Sequence, residues 1–253
     1  MEREQLNYCA RCRHAWADDA ETPAQYEADY FASVYTRSPS YDEWLVGRYR
    51  DVLDISRKLK PDLQTALDVG CGQGELVKFL DSNGVSAEGS ETSARYAADC
   101  RARGLRVHTG SSTDLERNPA RYDFVTCLHV LEHLSDPGAV LSSLRNLARP
   151  GGLIYVELPN ELHAWRARVK AALGTPASTP EGRRKTGHHQ CFSKRSIGML
   201  ATRLGLTVLR VDTRDVVEPH ASAPHRIVVS AANALARASV IQGNVLRCWC
   251  RVP

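Results

Sequence analysis

The sequence predicts an α/β fold, a seven-stranded, mostly parallel sheet with helices on both faces, and three observations carry that expectation. Short strand-like segments alternate with helix-length ones between residues 64 and 158. A glycine-rich turn at 70–74 follows directly on the first buried strand of that run. A length of 253 residues suits one large α/β domain with an appendage better than two full domains. A hydrophobic content of 43%, with no apolar run near 18 residues, places the chain among globular proteins and excludes a membrane-spanning helix.

Taken in order, Gln25 to Tyr35 and Tyr41 to Leu59 read as helices, the second rich in apolar residues at helical spacing. Leu67-Asp68-Val69 reads as a strand, Glu75 to Ser82 as a helix, Ser86 to Glu91 as a strand and Ser93 to Arg103 as a helix. A short strand at Arg106 to His108 and a longer one at Asp123 to Leu128 follow. Pro137 suits the first turn of a helix reaching Ala148, Pro150-Gly151-Gly152 reads as a turn, and Leu153 to Leu158 as the next strand. Residues 159 to 190 are polar and look like a lid or insertion over the sheet's carboxyl edge. Beyond it Ser193 is an N-cap for a helix to Leu204, Gly205 its stop, and Leu206 to Val211 a strand. Ile227 to Val240 reads as a helix and Val245 to Val252 as a last strand. The expected organisation is an N-terminal cap segment over 1–60 and one catalytic domain over 61–253.

The spacing Gly70-x-Gly72-x-Gly74 brings the third glycine one residue early for a dinucleotide fingerprint, which disfavours NAD. Glycines there let backbone N–H groups approach a ligand without Cβ obstruction. Asp68, at the strand end, sits where a cationic ammonium would be paired, a need that a pyrophosphate does not have. Glu91 ends the next strand about 20 residues on, where a carboxylate accepts ribose hydroxyls.

With these residues the chain resembles the class I S-adenosylmethionine (SAM)-dependent methyltransferases, and the resemblance runs through the whole core. Leu67 to Gly74 looks like the family's first motif, Gly89 to Ser93 its second, Tyr122 to Val125 the start of its fourth strand, and Leu147 to Gly152 the approach to its fifth. The resemblance implies a Rossmann-like fold and SAM as cofactor. It implies SAM contacts at Asp68, Gly70, Cys71, Gly72, Gly74, Glu91, Thr92, Leu128 and His129, with Ser111 and Ser112 beside the adenine where the family often has an Asp.

His129-Val130-Leu131-Glu132-His133 follows the fourth strand, where the resemblance places residues between the sulfonium and the acceptor. The bare pattern H-x-x-E-H also matches a zinc metalloprotease signature, but that needs one long helix, and Asp136-Pro137 stops one here. Methyl transfer to a hydroxyl needs a proton acceptor, and His133, His129 and His188 are the candidates. The same region is similar to the E-x-x-E-H segment and later His of small-RNA 2'-O-methyltransferases and some ubiquinone-pathway O-methyltransferases. That likeness implies a divalent metal at Glu132, His133 and His188, with His129 in place of the first Glu and a shift from Mg²⁺ towards Zn²⁺.

Cys9-Ala10-Arg11-Cys12, with His14 nearby, resembles one knuckle of the zinc ribbon that precedes some sugar and natural-product methyltransferases, without the second CxxC. The remaining cysteines are scattered and expected reduced, Cys248 and Cys250 as packing residues. Eight basic residues against the single acid Glu181 between Arg166 and Arg195 suit an anionic acceptor or RNA. Tyr26, Tyr30, Tyr35 and Tyr41 are expected to close over the site or to pack the helices. Met1 to Gln5 is polar and has no apolar segment behind it, so the expected compartment is the cytoplasm. The leading expectation is O-methylation of a small molecule, a sugar or secondary metabolite, with a His base. A metal-assisted RNA 2'-O-methyltransferase and a SAM-binding partner subunit without chemistry are the alternatives.

Overall fold

The computed structural model describes residues 6–17, 39–116, 122–164, 187–214, 234–235 and 242–253, with side chains from Glu43 onward in the first helix. Its elements are β1 (Asn7–Cys9), β2 (His14–Trp16), α1 (Pro39–Leu59), β3 (Thr65–Val69), α2 (Glu75–Ser82), β4 (Ser86–Glu91), α3 (Ala94–Ala102), β5 (Val107–Thr109), α4 (Ser112–Leu115), β6 (Tyr122–Leu128), a 3₁₀ turn (Leu131–His133), α5 (Pro137–Leu147), β7 (Ala148–Pro159), β8 (Gln190–Cys191), α6 (Lys194–Arg203), β9 (Thr207–Arg214) and β10 (Val245–Arg251). Seven strands form one sheet in the order β5-β4-β3-β6-β7-β10-β9. β3 pairs in parallel with β4 and β6, β4 with β5 and β6 with β7, while β10 runs antiparallel to both β7 and β9.

The alternating direction of side chains along each strand divides the core into two layers. Leu67, Val125, Ile154, Val156, Cys248 and Cys250 face α5 and α6, through Leu141, Leu144, Ile197 and Ala201. Ala66, Phe124, Leu153, Tyr155 and Trp249 face the opposite way, against Val52 and Leu53 of α1, Leu76, Val77 and Leu80 of α2, and Ala97 and Cys100 of α3. Helix α1 is thus part of the packed body. Arg247 of β10 bonds its Asp51 at 2.6 Å, and the Trp249 indole donates to its Ser56 at 3.3 Å.

Capping matches the sequence pattern closely. Ser93 accepts from the Tyr96 amide, Asp136 from the Ala139 amide, and Ser193 and Ser196 form a reciprocal box at the start of α6. The expected turn at 150–152 is instead an irregularity inside β7, with pairing shifted between Tyr122 and Phe124 and Gly151 at φ +75°. The Gly151 amide donates to Val252, so this kink is paired to the end of the chain. The helices expected at 25–35 and 227–240 lie outside the described residues apart from 234–235, as do most of the lid and Tyr26, Tyr30, Tyr35 and the Tyr41 side chain. All eight cysteines are free. Among the described residues no helix is long and apolar enough to cross a membrane.

The N-terminal CxxC segment forms the hairpin β1–β2, and β2 pairs with β8, Ala15 opposite Cys191 and Trp16 opposite Gln190. His14 Nε2 meets Gln190 Oε1 at 2.9 Å and its ring lies against Phe192.

Candidate active site

The strand order reverses between β3 and β6, and in open α/β sheets ligands bind in the crevice outside the carboxyl ends of the strands at such a point. The 70–74 turn after β3 forms one wall and the 129–133 segment after β6 the other. Gly70, Gly72 and Gly74 have φ of +72°, +53° and +76°, which explains glycine at all three. Gly70 has a further constraint, since a Cβ there would lie 2.5 Å from Val130 Cγ2 on the facing wall. Gly70→Ala is expected to cost about 2–5 kcal/mol, from backbone strain plus overpacking, and to weaken SAM binding; urea unfolding and calorimetric titration would measure both.

Four of the loop's amides bond within the protein. Gly70 and Cys71 donate to the Ser90 carbonyl, Gly72 to Glu91 Oε2 at 2.9 Å and Gly74 to the Cys71 carbonyl. The Cys71 thiol is directed beneath the turn, close to where a Gly89 Cβ would be, so its side chain packs the loop. The glycines shape the cavity, and the acids supply its polarity.

Asp68 is buried with Thr126 Oγ1 donating to it at 2.7 Å, and burial, reinforced by the negative charge of Glu91 against that hydrogen bond, pushes its carboxyl up to about 7. Glu91 accepts Gly72 N on one oxygen and Ser93 N on the other, with the Thr92 hydroxyl at 3.4 Å. Leu128 is half-buried at the mouth of the crevice. Ser111 caps α4 in a reciprocal box with Asp114, whose carboxylate folds back onto Ser111 N and Oγ at 2.9 and 2.7 Å. Ser112 is buried with no partner for its hydroxyl.

Across the crevice Leu131–His133 is a single 3₁₀ turn, which excludes the long helix that a metalloprotease reading of H-x-x-E-H requires. Glu132 is fully buried, and neither carboxylate oxygen has a hydrogen-bond partner. His129 Nδ1 stands 3.3 Å from its Oε1, an ion-pair distance without hydrogen-bond geometry. Burial pushes the Glu132 carboxyl up, yet His129, His133 and His188 around it hold it below its usual value. His133 donates Nδ1–H to the Gly187 carbonyl at 3.0 Å, and His188 Nδ1 bonds Glu161 Oε1 at 2.6 Å. Each ring therefore presents Nε2, and the rings meet edge to face with centroids 4.8 Å apart. One ligand atom from each of Glu132, His133 and His188 lies within 4.8 Å of the others.

His129, expected as a base, adopts φ +54° and lies between Glu132 and Glu157, its Nε2 3.2 Å from Glu157 Oε1. Burial works against its charged form, but the two carboxylates outweigh that and raise its pKa to about 9, which favours the protonated ring over a proton acceptor at neutral pH. Glu157 also holds Arg48 of α1 and the Tyr155 hydroxyl. Glu157, Arg48 and Glu161 were not evident from the sequence. Glu157 lies in an apolar strand run and Glu161 beyond it in the polar stretch, with no motif marking either.

The His188 segment is fixed from two sides. His189 N donates to the Glu132 carbonyl and Ala17 N to the His189 carbonyl, while the Gln190 side chain joins His14 to the Leu134 carbonyl. The N-terminal hairpin thereby frames the same residues that face Glu132. The basic stretch between Arg166 and Arg195 falls mostly outside the described residues.

A switch-point crevice with one buried acid facing a glycine turn and another at the next strand end defines a cofactor-binding α/β protein. The chain belongs to the class I SAM-dependent methyltransferases: residues 41–211 match the methyltransferase-domain family. The ubiquinone biosynthesis O-methyltransferase of Serratia proteamaculans is 30% identical over 141 residues, 53% of this chain and 57% of that protein. The chain spans about half the length of the curated relatives it matches. Two solved structures share the fold. A SAM-dependent methyltransferase from Archaeoglobus fulgidus has a TM-score of 0.58 at 15% identity, over 83% of this chain and 94% of that one. One from Thermotoga maritima has a TM-score of 0.57 at 18% identity, over 88% and 98%.

Proposed function

We propose that the protein transfers the methyl group of SAM to a hydroxyl oxygen of a small molecule, assisted by a divalent cation at Glu132, His133 and His188. The observation that carries this reading is Glu132, a fully buried carboxylate with no hydrogen-bond donor on either oxygen, opposed by two imidazoles that each present Nε2. A buried carboxylate with no hydrogen bond and only the His129 imidazolium at ion-pair distance is incompletely compensated, and a further cation would complete it. Two nitrogens and one carboxylate suit Zn²⁺ or a similar borderline ion better than Mg²⁺. The name of the Serratia relative, an O-methyltransferase of ubiquinone biosynthesis, supports oxygen as the acceptor atom.

In this reading Asp68 pairs the methionyl ammonium and Glu91 accepts ribose hydroxyls, with Thr92 and Leu128 along the cofactor and Ser111 and Ser112 on its adenine side. Transfer is an in-line displacement: the C–S bond breaks with its electron pair left on sulfur, an O–C bond forms, and the acceptor hydroxyl loses its proton to solvent water. Glu132, His133 and His188 would hold a divalent cation, which would supply Lewis acidity that lowers the pKa of that hydroxyl. His133 and His188, each held by Nδ1, fix their Nε2 atoms on the acceptor side. The His129 imidazolium, held by Glu157, fixes Glu132 and adds positive charge beside the acceptor.

One observation favours a metal-free variant of the same chemistry. His133 is kept neutral by burial, its tautomer fixed by Gly187, so its Nε2 lone pair can take the acceptor proton directly. Turnover of a panel of hydroxyl acceptors with methyl-labelled SAM, after EDTA and dialysis, separates the two. The metal reading expects at least a tenfold loss, restored by Zn²⁺ or Mn²⁺. Undiminished turnover in EDTA overturns it in favour of His133 as base.

A further inference from the structure

We propose that Glu161 is a positioning residue of this centre, holding His188 so that its Nε2 completes the ligand set with Glu132 and His133; this rests on the metal reading above. His188 lies in the segment 188–189, which is neither helix nor strand, so the backbone alone does not fix its ring. Glu161 does so from the far side. Its Oε1 meets His188 Nδ1 at 2.6 Å, and its Oε2 accepts from the Cys191 thiol at 3.4 Å, so both oxygens are engaged and the carboxylate cannot rotate freely.

The turn that carries Glu161 is itself anchored. Asn160, buried at the end of β7, donates its side-chain amide to the Gly243 carbonyl at 2.7 Å and its backbone amide to the Asn244 carbonyl at 2.8 Å. Cys191 is fixed in turn by pairing with Ala15 of the hairpin. The carboxylate is therefore tied to the lead-in of β10 on one side and to the three-stranded sheet on the other.

A carboxylate accepting from one imidazole nitrogen fixes the tautomer, sets the ring plane and raises the basicity of the other nitrogen, and losing such a partner weakens metal affinity about 10–100-fold. The Gly187 carbonyl that His133 Nδ1 bonds is neutral, so the Glu161 carboxylate on His188 is the stronger of these two outer partners. It does not reach the acceptor and is not a catalytic residue.

The test is Zn²⁺ titration of the full chain by calorimetry, counting only the site lost in Glu132→Gln, with SAM affinity measured alongside. Glu161→Ala is expected to weaken Zn²⁺ about 10–100-fold and leave SAM affinity within about twofold. X-ray absorption is expected to show fewer imidazoles on the bound Zn²⁺. Wild-type affinity in Glu161→Ala overturns the proposal while leaving the metal reading intact. Absence of any Glu132-dependent Zn²⁺ site in the wild type overturns the metal reading and the proposal with it. If Glu161→Ala also loses SAM affinity it has lost its fold, and Glu161→Gln decides: retained SAM with weakened Zn²⁺ supports the role, and unchanged Zn²⁺ overturns it.

Discussion

Glu132→Gln is expected to lower turnover on the order of 10²–10³-fold and to make the metal-free protein modestly less stable. Its side chain is fully buried and neither oxygen has a hydrogen-bond donor, yet the histidines around it, His129 first, hold its carboxyl below the usual value, so the ionised form is favoured in the fold. The neutral amide keeps the shape and loses that pairing, a loss of about 1–3 kcal/mol. In a protein of this size that is a fall of about 2–4 °C in Tm per kcal/mol. Adding Zn²⁺ should then raise the Tm of the wild type and not that of the variant. Scanning calorimetry with and without Zn²⁺ checks this; a variant that melts several degrees lower while keeping turnover would show that Glu132 is a structural strut.

Asp68 gives the second large effect. Its carboxyl is raised to about 7, by burial first and by Glu91 second, against the Thr126 hydrogen bond. The folded protein therefore binds this proton more tightly than the unfolded chain does. For this group, stability of the cofactor-free protein falls as pH rises from the unfolded value near 4 to the folded value near 7. SAM reverses the sign, because its ammonium pairs only with the ionised form. SAM affinity should accordingly weaken about tenfold for each unit below pH 7 and level off above it. Asp68→Asn should flatten that profile and weaken binding about 10–100-fold at pH 8, the value of a charge-assisted hydrogen bond of about 1.5–3 kcal/mol. Calorimetry in two buffers of different ionisation enthalpy would also detect proton release on binding near pH 6 in the wild type alone.

Much of the fold is legible because local signals agree with tertiary ones. Ser86 to Glu91 and Glu75 to Ser82 have the expected limits, since Gly74, Asn83 and the flanking Gly84 punctuate the chain where its periodicity changes. Ser193 caps as its position promises, and Ser93, expected inside its helix, is that helix's cap instead. The kink at 150–152 misleads because a Pro-Gly-Gly run signals a turn, whereas pairing with Val252 draws it into a strand. The donor half of the site is readable for the same reason: Asp68, the glycines and Glu91 are fixed by strand ends within about 25 residues. The other wall depends on contacts of His133 with Gly187, of Glu132 with His188, and of His129 with Glu157, which no local pattern encodes. Residue type alone also hides charge state. A histidine near a strand end suggests a base, and only the two carboxylates beside His129 make it an acid.

His14 of the hairpin meets Gln190 across 176 positions of sequence, so the segment carrying His188 and His189 is framed by a closure of long range, whereas the glycine turn and Glu91 are framed by neighbouring β–α units. Loop-closure entropy weighs more on contacts of the first kind, so folding is expected to complete the glycine-turn wall before the wall that carries Glu132, His133 and His188.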